Sequence, residues 1–167
     1  DENHVLLSSF DATVIQHGAE FNLGLHFYQG GAVSPNGHKY IKEFNCDVIP
    51  TTIYRVGGVL LKKEMVFQAY TDRVMIHYTI ADAHSPVTLR LRPYLAFRRA
   101  DELTHENYQA LRDYTAVSGG IRTTMYSEYP ELYMQLSKKN DFVYQPNWYK
   151  GFEYYKEAER GYECVED

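Results

Sequence analysis

The chain has 167 residues, 44% of them hydrophobic, enough apolar side chain for a folded domain with a real core and too much for a disordered polymer. Seventeen Lys and Arg against 22 Asp and Glu give a net charge of -5, which excludes the basic surface of a general nucleic-acid binder. Apolar runs such as VGGVLL are far too short to span a bilayer, and the acidic start DENHVLLSS lacks the basic region of a signal peptide, so the expected compartment is the cytoplasm.

Two cysteines, Cys46 and Cys164, are too few for a disulfide scaffold and suit a reducing compartment, although the sequence leaves a pair open. In chain order, HVLLSSF and ATVIQHG flank Asp11, an acidic break between two short apolar runs. Residues 20–28, EFNLGLHFY, alternate with period two: Phe21, Leu23, Leu25 and Phe27 fall on one face of a half-buried strand. Pro35-Asn36-Gly37 reads as a turn, followed by strands at HKYIKEF and TTIYRV. Gly57-Gly58 makes a two-residue hairpin turn, and Thr71-Asp72 precedes a third strand, RVMIHYTI.

The loop Ala83-His84-Ser85 leads into PVTLRLRPYLAFR, where Val87, Leu89, Leu91, Leu95 and Phe97 share one face and Thr88, Arg90, Arg92, Tyr94 and Arg98 the other. Pro93 cannot donate to a ladder, so this strand lies at a sheet edge or bulges there. Residues 99–114 are polar and read as a loop with at most a short helical turn. Strands resume in YTAVSGGIRTTMY, with a Gly-Gly hairpin, then in LYMQLSK and DFVYQP with a turn over Lys138 to Asp141. The tail from Asn147 has charge and aromatics but no clear period. Strands at this spacing, with turns between and no amphipathic helix, predict an all-β antiparallel β-sandwich or a barrel.

Chemistry is scarce. There is no G-x-S-x-G elbow and no phosphate-binding glycine loop, since the Gly-Gly pairs lie in hairpins. The seven histidines show no close ligand spacing, so no metal or other cofactor is expected. His26 and His77 lie within strands and read as packing or surface residues. Carboxylates are plentiful, but pairing them for glycosidase work requires a fold to bring them together. What remains is binding surface. Arg90, Arg92, Tyr94 and Arg98 line one strand face, while HENY and NWYKGFEYY set aromatics beside amides and acids. Such mixtures suit sugars: a ring face packs on the C–H face of a pyranose, and polar groups hold its hydroxyls. Packing or an interdomain seam explains the same residues without a ligand.

LLSSFDATV, SPNGHKYIKEF, PTTIYRVGGVLLKKEMV, PVTLRLRPYLAFR, LTHEN and PNWYKGFEYYKEAERGYECVED follow one another in an order and spacing that resemble the amino-terminal domain of bacterial and archaeal-type glycogen debranching enzymes, the amylo-α-1,6-glucosidases. The resemblance covers essentially the whole chain. It implies a supersandwich of the galactose-mutarotase-like kind, and a catalytic (α/α)6 barrel elsewhere in the same polypeptide. Residues 1–167 are then a single partial domain, truncated at both ends, without catalytic residues of its own. Family members carry FRDYH-x-L-x-x-EN where this chain has Phe97, Arg98, Leu103, Glu106 and Asn107 in matching places but no Asp-Tyr-His step. No role of that histidine passes to His105. Candidate substrate-binding residues are Arg98, His105, Glu106, Asn107, Trp148 and Tyr149. The expected function is a non-catalytic support for the barrel, with glycogen or another branched α-glucan as a further partner. An independent carbohydrate-binding module is the alternative. A small epimerase-like enzyme is a second, and it requires His26 or His77 beside a glutamate in an open cleft. Exposed sheet edges further predict either a homodimer or an edge hidden behind the chain's own tail.

Overall fold

The computed structural model describes residues 3–167. The fold is all-β, as the strand spacing predicts. The chain forms two compact units, and β1 (His4–Gln16) and β9 (Thr88–Arg99) each contribute residues to both.

One unit comprises Asp11–His26 and Val33–Arg92. Its sheet runs β5 (Ile41–Asn45), β6 (Thr51–Val56), β7 (Val59–Gln68), β8 (Arg73–Ala83), each antiparallel to the next. The hairpin read from Gly57-Gly58 is present, with Val56 opposite Val59. The ladder places Tyr54 opposite Leu61, so Tyr54, Val56, Val59 and Leu61 share a face. That face packs on Ala12, Val14 and Leu23, with Val87, Leu89 and Leu91 of the β9 stretch closing over them. β2 (Ala19–Asn22) pairs with β1 through the turn His17-Gly18, both residues at positive φ (52° and 76°), which fits the twist of a tight hairpin. Further along β7 and β8 the same sheet face carries Met65, Phe67 and Val74, all exposed, with Phe67 at 71%.

The other unit holds the described residues up to Phe10, Phe27–Ala32 and Pro93–Asp167. Here β10 (Tyr114–Val117), β11 (Gly120–Thr123) and β12 (Leu132–Gln135) form one antiparallel meander. Also here, Phe152 of β13 (Phe152–Glu153) pairs with Glu166 of β14 (Val165–Glu166) and with Tyr28, the last residue of β3 (Leu25–Tyr28), which β4 (Ala32–Asn36) follows in the chain. Phe97 and Ala96 are buried to 1%, and aromatic rings pack edge to face: Phe97 on Tyr129, and Tyr94 on both Tyr149 and Phe152.

Several local expectations are corrected. Asp11 is no break: β1 runs through it unbroken, and the carboxylate is buried at 3% exposure. Residues 20–28 are two strands, because Gly24 passes against the Asp11 side chain and the chain changes partners there, from β1 to β13. Leu25 and Phe27 consequently end exposed. Pro35 and Asn36 finish β4, and a 3-10 turn, Gly37–Tyr40, takes the first part of HKYIKEF. The second glycine hairpin turns at Ser118-Gly119, with Gly120 already in β11. DFVYQP forms no strand: Phe142 and Tyr144 pack their rings on Tyr114, and the Tyr144 hydroxyl donates to the Arg112 carbonyl at 2.7 Å. The aperiodic tail contributes β13, β14 and one short helix, α1 (Tyr155–Glu159). Residues 100–113 are loop, and β9 lies at the edge of the sheet β2-β1-β9, one of the two placements that Pro93 allows. Cys46 and Cys164 are free thiols. Among the described residues no helix is long and apolar enough to cross a membrane.

Candidate functional site

In the unit containing the tail, short backbone pairings bring three distant segments together. Phe152 stands opposite both Tyr28 and Glu166, and the Gln29 N–H donates to the Gly151 carbonyl at 2.9 Å. The result is a concavity of about 320 Å³ lined by Tyr28, Gln29, Lys150, Gly151, Val165 and Asp167. Its acidic wall is organised by Asp167, whose carboxylate accepts from the Glu106 N–H at 3.1 Å and the Gly151 N–H at 3.2 Å. Lys150 is ion-paired to Glu106, and that hydrogen bond holds the Lys150 ammonium above the usual lysine range.

Two of the sequence candidates reach residues that line this feature. Glu106 reaches it through Lys150 and Asp167. His105 stands beside it, with Nε2 2.8 Å from Glu163 and Nδ1 3.9 Å from Asp167. Tyr149 stacks on Phe152, with centroids 6.5 Å apart and planes 3° from parallel, and Trp148 is half-buried next along the chain. Asn107 plays a different part. Its amide donates to the His105 carbonyl (2.9 Å) and the Tyr126 hydroxyl (2.7 Å), and its carbonyl accepts from Gln109 and Ala110 N–H, so it shapes the loop.

Arg98 is not on an open face. Its guanidinium is paired with Glu166, at side-chain exposures of 13% and 3%. Glu166 also accepts from the Thr104 N–H at 3.1 Å and from the Tyr154 hydroxyl, which in turn accepts from Ser8, 3.1 Å away. Burial, then the bond to Glu166, raises the Tyr154 phenol above its ordinary value. Nor do the other residues of that strand face form a binding stripe. Arg90 is bidentate to Glu20, whose carboxyl the Arg90 hydrogen bond lowers, and Tyr94 is buried among rings.

The other unit hides a polar cluster. His26 Nε2 lies 2.9 Å from Asp11 Oδ1, the Asn22 amide donates to Asp11 Oδ2 at 3.4 Å, and the His26 side chain is 11% exposed. Lys63 nearby has its pKa lowered by burial, with the Asp11 charge opposing. Opposite it on β8, the Tyr78 hydroxyl is buried without a hydrogen-bond partner, and burial raises that phenol. His26 is thus held by a buried aspartate within this unit. His77 lies 3.4 Å from Glu64, but its side chain is 75% exposed on the sheet surface. Among the described residues no group of three or more His, Cys, Asp or Glu is placed to hold a metal ion.

Sequence reasoning missed Lys150, Asp167 and Glu163. Lys150 sits inside the NWYKGFEYY motif, so a lysine next to a glycine in an aromatic run was a usable signal; the two acids gave none. The family model described as glycogen debranching enzyme N terminal matches residues 1–167, the whole chain. The chain belongs to that family. No curated protein and no solved structure matches it. For this debranching-enzyme N-terminal chain the carboxylates around the concavity are all committed. Asp167 takes two N–H groups, Glu106 takes Lys150, and Glu163 takes His105. Groups so engaged are suited to holding hydroxyls in fixed positions.

Proposed function

We propose that this chain is the non-catalytic amino-terminal sandwich of a glycogen debranching enzyme, an α-1,6-glucosidase of glycogen degradation in the cytoplasm. It supports a catalytic barrel carried by the same polypeptide and contacts branched α-glucan at the concavity of Tyr28, Lys150 and Asp167. The observation that carries the reading is the family match along the entire chain. The paired state of every carboxylate at the concavity supports a binding role over a bond-breaking one. The test is glucose release from branched dextrin by the 167-residue chain. None is expected, and clear release overturns the non-catalytic assignment.

A second reading, an independent carbohydrate-binding module, is favoured by half-buried Trp148 beside the Tyr149–Phe152 stack. Affinity electrophoresis in glycogen gels separates the two. Retardation that vanishes in Trp148→Ala supports a module that binds by itself, whereas unaltered mobility of the parent chain leaves the supporting role alone.

A further inference from the structure

The sheet β5-β6-β7-β8 ends on two open edges that are built differently. β5 is guarded: it has five residues, its register slips between Ile41 and Glu43, and Lys42 and Glu43 put charge in its middle. Short, bulged, charged edges discourage pairing with another chain. β8 has none of these devices over its central stretch. It spans eleven residues, contains no proline, and keeps an unbroken register with β7 from Gln68↔Arg73 to Leu61↔Ile80. The face it shares with β7 continues past the core as Met65, Phe67 and Val74, all exposed.

We propose that a second copy of this chain pairs here, β8 against β8 in antiparallel register about a two-fold axis at the middle of the strand. Charge complementarity selects a second copy as the occupant. β8 has Arg73 at one end and Asp82 near the other, so antiparallel self-pairing brings the arginine of each copy toward the aspartate of its partner, twice over. With His77 opposite its own counterpart, Val74 faces Ile80 and Ile76 faces Tyr78 across the axis, and every residue stays on its own side of the sheet. The Met65, Phe67 and Val74 surfaces of the two copies then form one continuous apolar face. The contact is isologous and closes at two copies, so it does not propagate into fibres.

Sedimentation velocity on the 167-residue chain over a concentration series tests this. A monomer–dimer equilibrium is expected. Val74→Lys weakens it by about tenfold or more, as like charges or a desolvated lysine at an interface do, while Phe44→Lys on the β5 side leaves it intact. Arg73→Glu and Asp82→Arg each weaken the dimer, and the two together restore it. All four positions are exposed, and unchanged circular dichroism confirms that the variants fold. A chain that stays monomeric throughout overturns the proposal. So does a dimer lost with Phe44→Lys but indifferent to Val74→Lys, and so does a double charge reversal that fails to restore association.

Discussion

Glu166 joins three separate parts of the chain: Arg98 on β9, the backbone of Thr104 in the following loop, and Tyr154 in the tail. Removing its charge leaves a buried guanidinium without its partner. Glu166→Gln is therefore expected to cost about 3–5 kcal/mol in urea unfolding; a loss under about 1 kcal/mol would show that Arg98 finds water instead. Buried phenols give a pH signature. Tyr54, Tyr78 and Tyr154 are all raised, by burial first. A phenol whose folded pKa exceeds its unfolded value supports the fold below about pH 10, and that support disappears as pH rises through the folded pKa. The urea midpoint should hold level through neutral pH and fall above about pH 10; a midpoint unmoved at about pH 11 would count against these burials. Two glycines show how different one residue type is from place to place. A Cβ on Gly37 would meet the Leu23 carbonyl carbon at 2.1 Å, where backbone cannot yield. On Gly18 it would meet nothing within 4 Å, and only the positive φ resists it. Gly37→Ala should cost about 3 kcal/mol or more, and Gly18→Ala about 1–2 kcal/mol, both read from urea midpoints.

Along the β7–β8 hairpin, hydrophobic residues continue after the core has ended. Leu61 is fully buried, while Phe67, on the same face six residues on, is open to solvent. Leu61→Ala should cost about 2–5 kcal/mol, whereas Phe67→Ala should change stability by no more than about 0.5 kcal/mol. Equal losses at both sites, measured by urea unfolding of the dilute chain, would mean that the distal face is packed after all. Along 59–67 that face reads Val59, Leu61, Lys63, Met65, Phe67, and Lys63 is the one local mark of the change; the alternation reports which face a residue is on and not what covers that face. A similar limit explains DFVYQP. Its β-prone residues read as a strand, but rings on Tyr114 and a hydroxyl bond to Arg112 hold the segment instead of a ladder.

At the scale of the whole chain, the concavity is assembled from Tyr28 and Gln29, from Lys150 and Gly151, and from Val165 and Asp167. If it contacts glucan, Lys150→Met should reduce retardation in glycogen gels while the circular dichroism spectrum of the folded chain stays unchanged, since its ion pair with Glu106 is solvent-exposed. Undiminished retardation would move the contact elsewhere on the surface. Local composition in HENY marked the segment whose Glu106 and His105 meet Lys150 and Asp167, while NWYKGFEYY marked the segment that carries Lys150 itself. Arg98 reads as a surface residue in the sequence because Glu166, which pairs with it, lies 68 residues away. Asp11 interrupts the apolar pattern of the sequence without interrupting the strand, because its partners Asn22 and His26 arrive only through folding.

The sequence alone determined the all-β class, the Gly57-Gly58 hairpin and the family to which the chain belongs. Those follow from turn chemistry, period-two alternation and ordered motifs, all of which act over a few residues or survive as linear pattern. The tertiary structure decided which polar groups are spent and which faces are covered. Asp11, Arg98 and Glu166 are buried because distant donors and acceptors meet them, and the far end of β7–β8 is bare because nothing among the described residues packs there. Burial and pairing are properties of what comes together across the chain, and no local stretch of residues encodes them.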